Sequence, residues 1–149
     1  MSPVPLIIAH VSLAILLLLP NLLAPFVLRR DSATRAQGRL ARLVLTLQGP
    51  GSFWIGLGVA ITGIGLLVII GLELLTQPWL LVALGLYAAN LVVAAVVARP
   101  NLRRLLGLSG AMDQETWARL ARRQRYLAYG MAGAIGVIGL LMMTKPQLW

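Results

Sequence analysis

The chain has 149 residues, of which 59% are hydrophobic and 11% are charged, whereas a soluble domain of this size carries about 25% charged residues. Its formal net charge is +9, from 13 basic and 4 acidic residues. There is no cysteine, which excludes disulfides, thiolate metal sites and cysteine nucleophiles, and the apolar composition excludes a separate soluble domain.

Four apolar segments are long enough to cross a bilayer, which takes about 20 helical residues. They lack the alternating pattern of membrane barrel strands. Because only a helix satisfies every backbone group of such a segment in lipid, the sequence predicts an all-α polytopic membrane protein, a four-transmembrane-helix bundle forming one domain over residues 1–149. The predicted spans are 4–28, 52–72, 78–98 and 126–144, with cytoplasmic connections 29–51 and 99–125.

The first span and the connection after it contain several local signals. Pro20 is predicted to kink the span, and Asn21 to turn inward beside it. The stretch DSATRAQGRLARLVLTLQ then predicts an interfacial amphipathic helix, capped by Asp31 or Ser32. GPG at 49–51 is predicted to break or bend the chain before span two.

Span three begins at Pro78 and contains two polar side chains, Tyr87 and Asn90, which are predicted to make interhelical hydrogen bonds. Arg99–Pro100 is predicted to end this span, and Asp113 to cap the fourth helix. The two other partner spans are rich in glycine, which favours close approach of helices: Gly56, Gly58, Gly63 and Gly65 in span two, and Gly130, Gly133, Gly136 and Gly139 in span four.

All twelve arginines fall in the two longer connections. The positive-inside rule places that side in the cytoplasm, which predicts a multi-pass protein of a bacterial inner (plasma) membrane with both termini outside. The expected partners are anionic lipid head groups, worth about 1 kcal/mol per basic residue near the surface. No nucleic-acid recognition module is visible, so nucleic acid is not an expected partner. The arginines assigned to lipid contact and topology are Arg29, Arg30, Arg35, Arg39, Arg42, Arg122, Arg123 and Arg125.

The single histidine, His10, lies inside span one, about 9 Å below its outer end. Ionisable residues within spans are costly and tend to be functional. The alternative is that the histidine only hydrogen-bonds a neighbouring helix or a partner, and that the glycines serve packing. Gly65, Gly85 and Gly139 occur at a similar depth on the partner spans, which predicts space for a flat macrocycle ligated by an imidazole nitrogen. The hypothesis is haem b with His10 as axial ligand to the iron. Two methionines nearer the outer surface are candidates for a thioether ligand: Met142 and Met143.

Other chemistries fit the sequence less well. The spans contain no carboxylate, which argues against proton relays and ion-coupled transport. One histidine without cysteine gives too few ligands for a zinc or copper site. No catalytic residue is predicted. The alternative function is a non-catalytic accessory subunit of a larger respiratory or photosynthetic membrane complex, or a homo-oligomer, packed through its glycine faces.

Several short motifs together resemble a known family. They are the early histidine of span one, the glycine-rich span two, "PW" opening span three and "LLMMTKP" closing span four. This layout resembles an uncharacterised family of small bacterial four-helix integral membrane proteins. It is also distantly similar to HemJ-type protoporphyrinogen oxidase and to CopD-type membrane proteins. The HemJ resemblance implies haem b ligated by His10, and it matches Lys145–Pro146 to that family's closing motif.

Overall fold

The computed structural model describes residues 2–29, 39–107 and 113–146. The regular structure within these ranges is helical, and no strand occurs in them. Four continuous helical stretches are long and apolar enough to cross a membrane, which confirms the predicted all-α polytopic fold. The α-helices are α1 (Val4–Arg29), α2 (Arg39–Thr46), α3 (Ser52–Ile70), α4 (Pro78–Val93), α5 (Arg99–Gly107) and α6 (Gln114–Thr144).

Two of the spanning helices are longer than the sequence predicts. A π-helical turn at Leu47–Gly51 joins α2 to α3, and another at Ala94–Ala98 joins α4 to α5. Of the break or bend predicted at 49–51, the break does not occur, and the third spanning helix does not end at Arg99–Pro100. A proline ring clashes with the carbonyl four residues earlier in a regular α-helix. One π-helical turn contains Pro50 and the other ends just before Pro100. The wider turn moves the carbonyl away from the proline ring, so the helix continues into the predicted connections.

The ends of the helices agree with some of the predicted signals. Asp113 occupies the N-cap position of α6, but its side chain makes no capping hydrogen bond. Asp31 and Ser32 lie outside the described residues. At the other end of the bundle, α3 stops at Gly71, whose φ of 128° lies in the region that favours glycine. Lys145 ends α6 in the left-handed conformation, and its N–H donates to the carbonyl of Leu141.

Helix α1 packs along both α3 and α6, and α6 packs along α4. The α1–α3 contact depends on glycine: a Cβ atom added at Gly58 would lie 3.3 Å from Cδ1 of Leu13, and one at Gly65 would lie 3.1 Å from Cδ2 of Leu6. These pairs run in opposite directions along the two helices, as expected for antiparallel neighbours. The glycines of span two therefore allow the close approach that the sequence predicts.

Apolar clusters lie at the two ends of the bundle. The cluster at the end that carries the arginines joins residues of α1, α2, α5 and α6, and it is called the arginine-end cluster below. A second cluster at the opposite end joins α4 to α6. Most other large apolar side chains of the spans are exposed on the outside of the bundle, where lipid would meet them. The arginine-end cluster contains Leu28, Leu45, Leu102, Leu105, Trp117 and Ala121, and the opposite cluster contains Trp79, Leu80, Ala83 and Leu141.

Two buried pairs of amide side chains lie within about two helical turns of the arginine-end cluster. Asn21 turns inward as predicted: its Nδ2 donates to the carbonyl of Leu17 at 2.9 Å, and its Oδ1 accepts from Gln48 Nε2 at 3.2 Å. In the second pair, Asn101 Nδ2 donates to Gln124 Oε1 at 2.9 Å. These bonds tie α1 to the first π-helical turn and α5 to α6, so each continuous long helix is held to a neighbour by polar contacts.

The Asn21–Gln48 pair gives a stability prediction. Both side chains are at most 1% exposed, so Asn21→Leu or Gln48→Leu alone leaves a buried amide group without its partner and is expected to cost about 1–3 kcal/mol. The double variant is expected to lose less free energy of unfolding than the two single variants added together, by a coupling energy of about 0.6–1.7 kcal/mol. Unfolding in detergent would measure this double-mutant cycle, with the exposed Ser12→Leu as control. Strictly additive single variants would contradict it.

Candidate functional site

His10 lies on the face of α1 that meets α3. Its Nδ1 atom is 2.9 Å from Oγ1 of Thr62, and the side chain is half-buried. The hydroxyl oxygen of Thr62 also lies 2.8 Å from the carbonyl oxygen of Gly58 and 3.0 Å from that of Val59. One threonine of α3 therefore connects the imidazole to the helix backbone.

Donor counting favours one tautomer of this histidine. A hydroxyl group has one hydrogen, and two carbonyl oxygens lie within hydrogen-bond distance of the Thr62 hydroxyl. When that hydrogen goes to a carbonyl, the Thr62 oxygen accepts from His10 and the proton of the neutral imidazole lies on Nδ1. In this tautomer the Nε2 atom retains its lone pair. The ring is thus held by one nitrogen and offers the other.

Gly63 makes room for this ring. A Cβ atom at this position would lie 3.2 Å from Cε1 and 3.7 Å from Nδ1 of His10, so the imidazole packs directly against the backbone of α3. A larger side chain at position 63 would push the ring away from Thr62. The sequence analysis pointed to Gly65, whereas the residues of α3 that contact the ring are Thr62 and Gly63.

The other residues proposed for a cofactor site lie apart from the imidazole. Gly65 faces Leu6 rather than His10. No described side chain lies within 4 Å of a Cβ atom added at Gly85 or Gly139. The two methionines lie on the outer surface: Met142 is 37% exposed and Met143 is 87% exposed. The structure therefore brings together His10, Thr62 and Gly63.

The predicted interhelical polar residues lie further along the bundle. The Tyr87 hydroxyl donates to the carbonyl of Gly56 and so connects α4 to α3. Asn90 is buried, 6% exposed, and borders a groove between α4 and α6.

The arginines assigned to lipid contact lie at one end of the bundle where the structure describes them. Arg29 is the last residue of α1, and Arg30 and Arg35 lie outside the described residues. Among the others, Arg125 is half-buried, and the exposed ones are Arg39, Arg42, Arg122 and Arg123.

Thr62 is the residue of the candidate site that the sequence analysis missed. It is the only hydroxyl side chain in the apolar segment 53–70, and that is the signal by which it could have been found. A threonine in a helix commonly donates to the carbonyl four residues earlier. That local bond does not indicate that the same oxygen can also accept from a histidine on another helix. Within the described ranges, no group of three or more His, Cys, Asp or Glu residues could hold a metal ion.

Comparison with known proteins agrees with this architecture. The model of a family described as predicted integral membrane protein (DUF2269) matches residues 5–146. No curated protein and no solved structure matches the chain. The match runs from the start of α1, through every described helix, to the residue after Lys145. This chain therefore belongs to the DUF2269 family of integral membrane proteins.

Proposed function

We propose that this membrane protein binds haem, expected to be haem b, or another porphyrin, through Nε2 of His10. The observation that supports this function is the 2.9 Å contact between His10 Nδ1 and Thr62 Oγ1. Histidines that ligate metals almost always donate their other ring N–H to a fixed acceptor, which sets the orientation and tautomer of the ring. The pair has this form and leaves one nitrogen for axial ligation.

The donor set fits a porphyrin iron with a single protein ligand. Gly63 lets the imidazole lie against α3, and Thr62 holds it there. Met143 is 87% exposed, so it is not expected to provide a second ligand. A bound haem would supply one-electron redox chemistry. The role of the chain is to hold the ring nitrogen in place within a largely apolar surrounding.

An absorbance spectrum tests the proposal. Full-length protein purified in detergent from haem-replete cells is expected to show a Soret band, which His10→Ala removes or shifts. Thr62→Val is expected to weaken haem affinity by about 10- to 100-fold, the usual effect of losing such a supporting bond. Met143→Leu is the matched control and is expected to leave the spectrum unchanged. A colourless wild-type protein, or a band that His10→Ala does not alter, would overturn the proposal.

A second candidate function is a non-catalytic subunit of a larger membrane complex, such as a respiratory or photosynthetic one. The glycines of α6 favour it, because they face outward: no described atom lies within 4 Å of a Cβ atom added at Gly130, Gly133, Gly136 or Gly139. Small residues on an open helix face allow another helix to approach closely. The same purification separates the two functions. A subunit is expected to be colourless alone and to co-purify with a partner from mild detergent.

The proposed location is a bacterial inner membrane with both termini outside the cytoplasm. Its support is the distribution of charge, since all twelve arginines lie in the segments that join spans one to two and three to four. The positive-inside rule places such segments in the cytoplasm.

A further inference from the structure

A groove of about 470 Å³ lies between α4 and α6, on the side of the bundle away from His10 and Thr62. Its walls are mainly apolar, with Ala89 and Val93 on α4 and Leu127 and Met131 on α6. Arg123 lies at one end of the groove, and Tyr126 lies one turn further along α6. The groove thus combines an apolar channel with a cationic end.

The position of the groove along α6 corresponds to one leaflet of a bilayer. From Arg123 to the end of α6 at Thr144 the helix rises about 32 Å, close to the hydrocarbon thickness of about 30 Å. Arg123 therefore lies at the boundary on the arginine-rich side. The deepest α6 residue of the groove, Ala134, is about 16 Å further in, near the middle of the bilayer.

The positive charge at the end of the groove has no counter-charge within the described part of the chain. The ion pair found within the described residues joins Arg119 to Glu115, at 3.8 Å on an exposed surface. Arg123 is exposed and pairs with no carboxylate of the described residues. With 13 basic and 4 acidic residues in the whole chain, most arginines must find anions outside the protein. At this depth the available anion is a lipid phosphate.

We propose that this groove holds one anionic phospholipid of the leaflet on the arginine-rich side. Its phosphate lies at the Arg123 guanidinium and within reach of the Tyr126 hydroxyl. One acyl chain follows the apolar walls towards Ala134. Two features favour a lipid over the helix of a partner protein. The groove covers one leaflet rather than the whole span, and its open end is marked by a cation rather than by an apolar surface.

The test uses the full-length protein in nanodiscs that contain phosphatidylcholine and phosphatidylglycerol, followed by extraction into mild detergent and native mass spectrometry. The wild-type protein is expected to retain one phosphatidylglycerol in preference to phosphatidylcholine. Arg123→Gln is expected to lower that retention about fivefold, the equivalent of about 1 kcal/mol per basic residue at the surface. Arg123→Lys, which keeps the charge, is expected to retain the lipid.

Arg122→Gln is the matched control, because it makes the same change of charge on an exposed neighbour that does not line the groove. It is expected to behave as wild type. Equal losses in Arg122→Gln and Arg123→Gln would overturn the proposal in favour of a diffuse basic surface. Equal retention of the two lipids, or a co-purifying protein that is released by Ala134→Phe while lipid retention is unchanged, would also overturn it.

Discussion

Trp117→Ala is expected to lower the free energy of unfolding by about 3–5 kcal/mol, the usual cost of removing a buried tryptophan. The side chain is 6% exposed and belongs to the arginine-end cluster, together with Leu28, Leu45 and Leu102. Trp117 lies six residues before Arg123, so it is about 9 Å beyond the estimated boundary of the hydrocarbon. The alternative to burial there is contact with water, and the full hydrophobic effect applies.

Trp54→Ala is the matched control for this prediction. Trp54 is 68% exposed on the outside of α3, where lipid would surround it whether or not the helices are packed together. Helix association within lipid lacks a hydrophobic driving force, so this variant is expected to unfold like the wild type. Thermal unfolding in detergent, followed by circular dichroism, would compare the two. Equal stability losses would mean that the arginine-end cluster does not support the bundle.

Gly63→Val is expected to destabilise the α1–α3 contact and to displace the imidazole of His10. A Cβ atom alone would lie 3.2 Å from Cε1 of that ring, and the valine methyl groups would come closer still. Overpacking of this kind costs about 1–3 kcal/mol. Gly133→Val makes the same chemical change on α6, where a Cβ atom meets no described atom within 4 Å, so its stability is expected to remain at or slightly above that of the wild type.

The single histidine makes this prediction measurable without any cofactor. Protein labelled with ¹⁵N-histidine contains one imidazole, so its ring nitrogens give one set of NMR signals that report the tautomer directly. The wild type and Gly133→Val are expected to show the proton on Nδ1, the tautomer that donor counting at Thr62 favours. Gly63→Val is expected to show a mixture of tautomers. Identical spectra for the two glycine variants would contradict the proposed role of Gly63.

The spans could be predicted from the sequence because length and composition alone decide whether a segment crosses a bilayer. The ends of the helices could not, because whether a helix continues past Pro50 or Pro100 depends on its packing. Beyond Pro100, Leu102 and Leu105 gain buried positions in the arginine-end cluster, and Leu45 does so before Pro50. That gain, with the hydrogen bond of Asn101 to Gln124, favours continuing the helix over ending it.

The candidate site was only partly predictable for a related reason. Counting residues from a membrane boundary estimates the depth of a side chain, and this estimate pointed to Gly65 rather than to Thr62 and Gly63. Depth does not give the rotation of a helix about its axis. Gly139 and Met143 lie at a suitable depth but face outward. Thr62 faces α1. A threonine in an apolar helix carries no charge, so the sequence does not mark it as a candidate site residue.

The π-helical turn at Ala94–Ala98 also sets the angular phase between two parts of one long helix. Successive residues of an α-helix differ by about 100° around the axis. If the same five residues formed a regular α-helical turn instead, α5 would be rotated by about that angle relative to α4. Asn101 and Leu102 would then leave their partners, while α4 kept its contacts with α6. The apolar pattern of the span and that of its extension can thus follow separate periodicities within one unbroken helix.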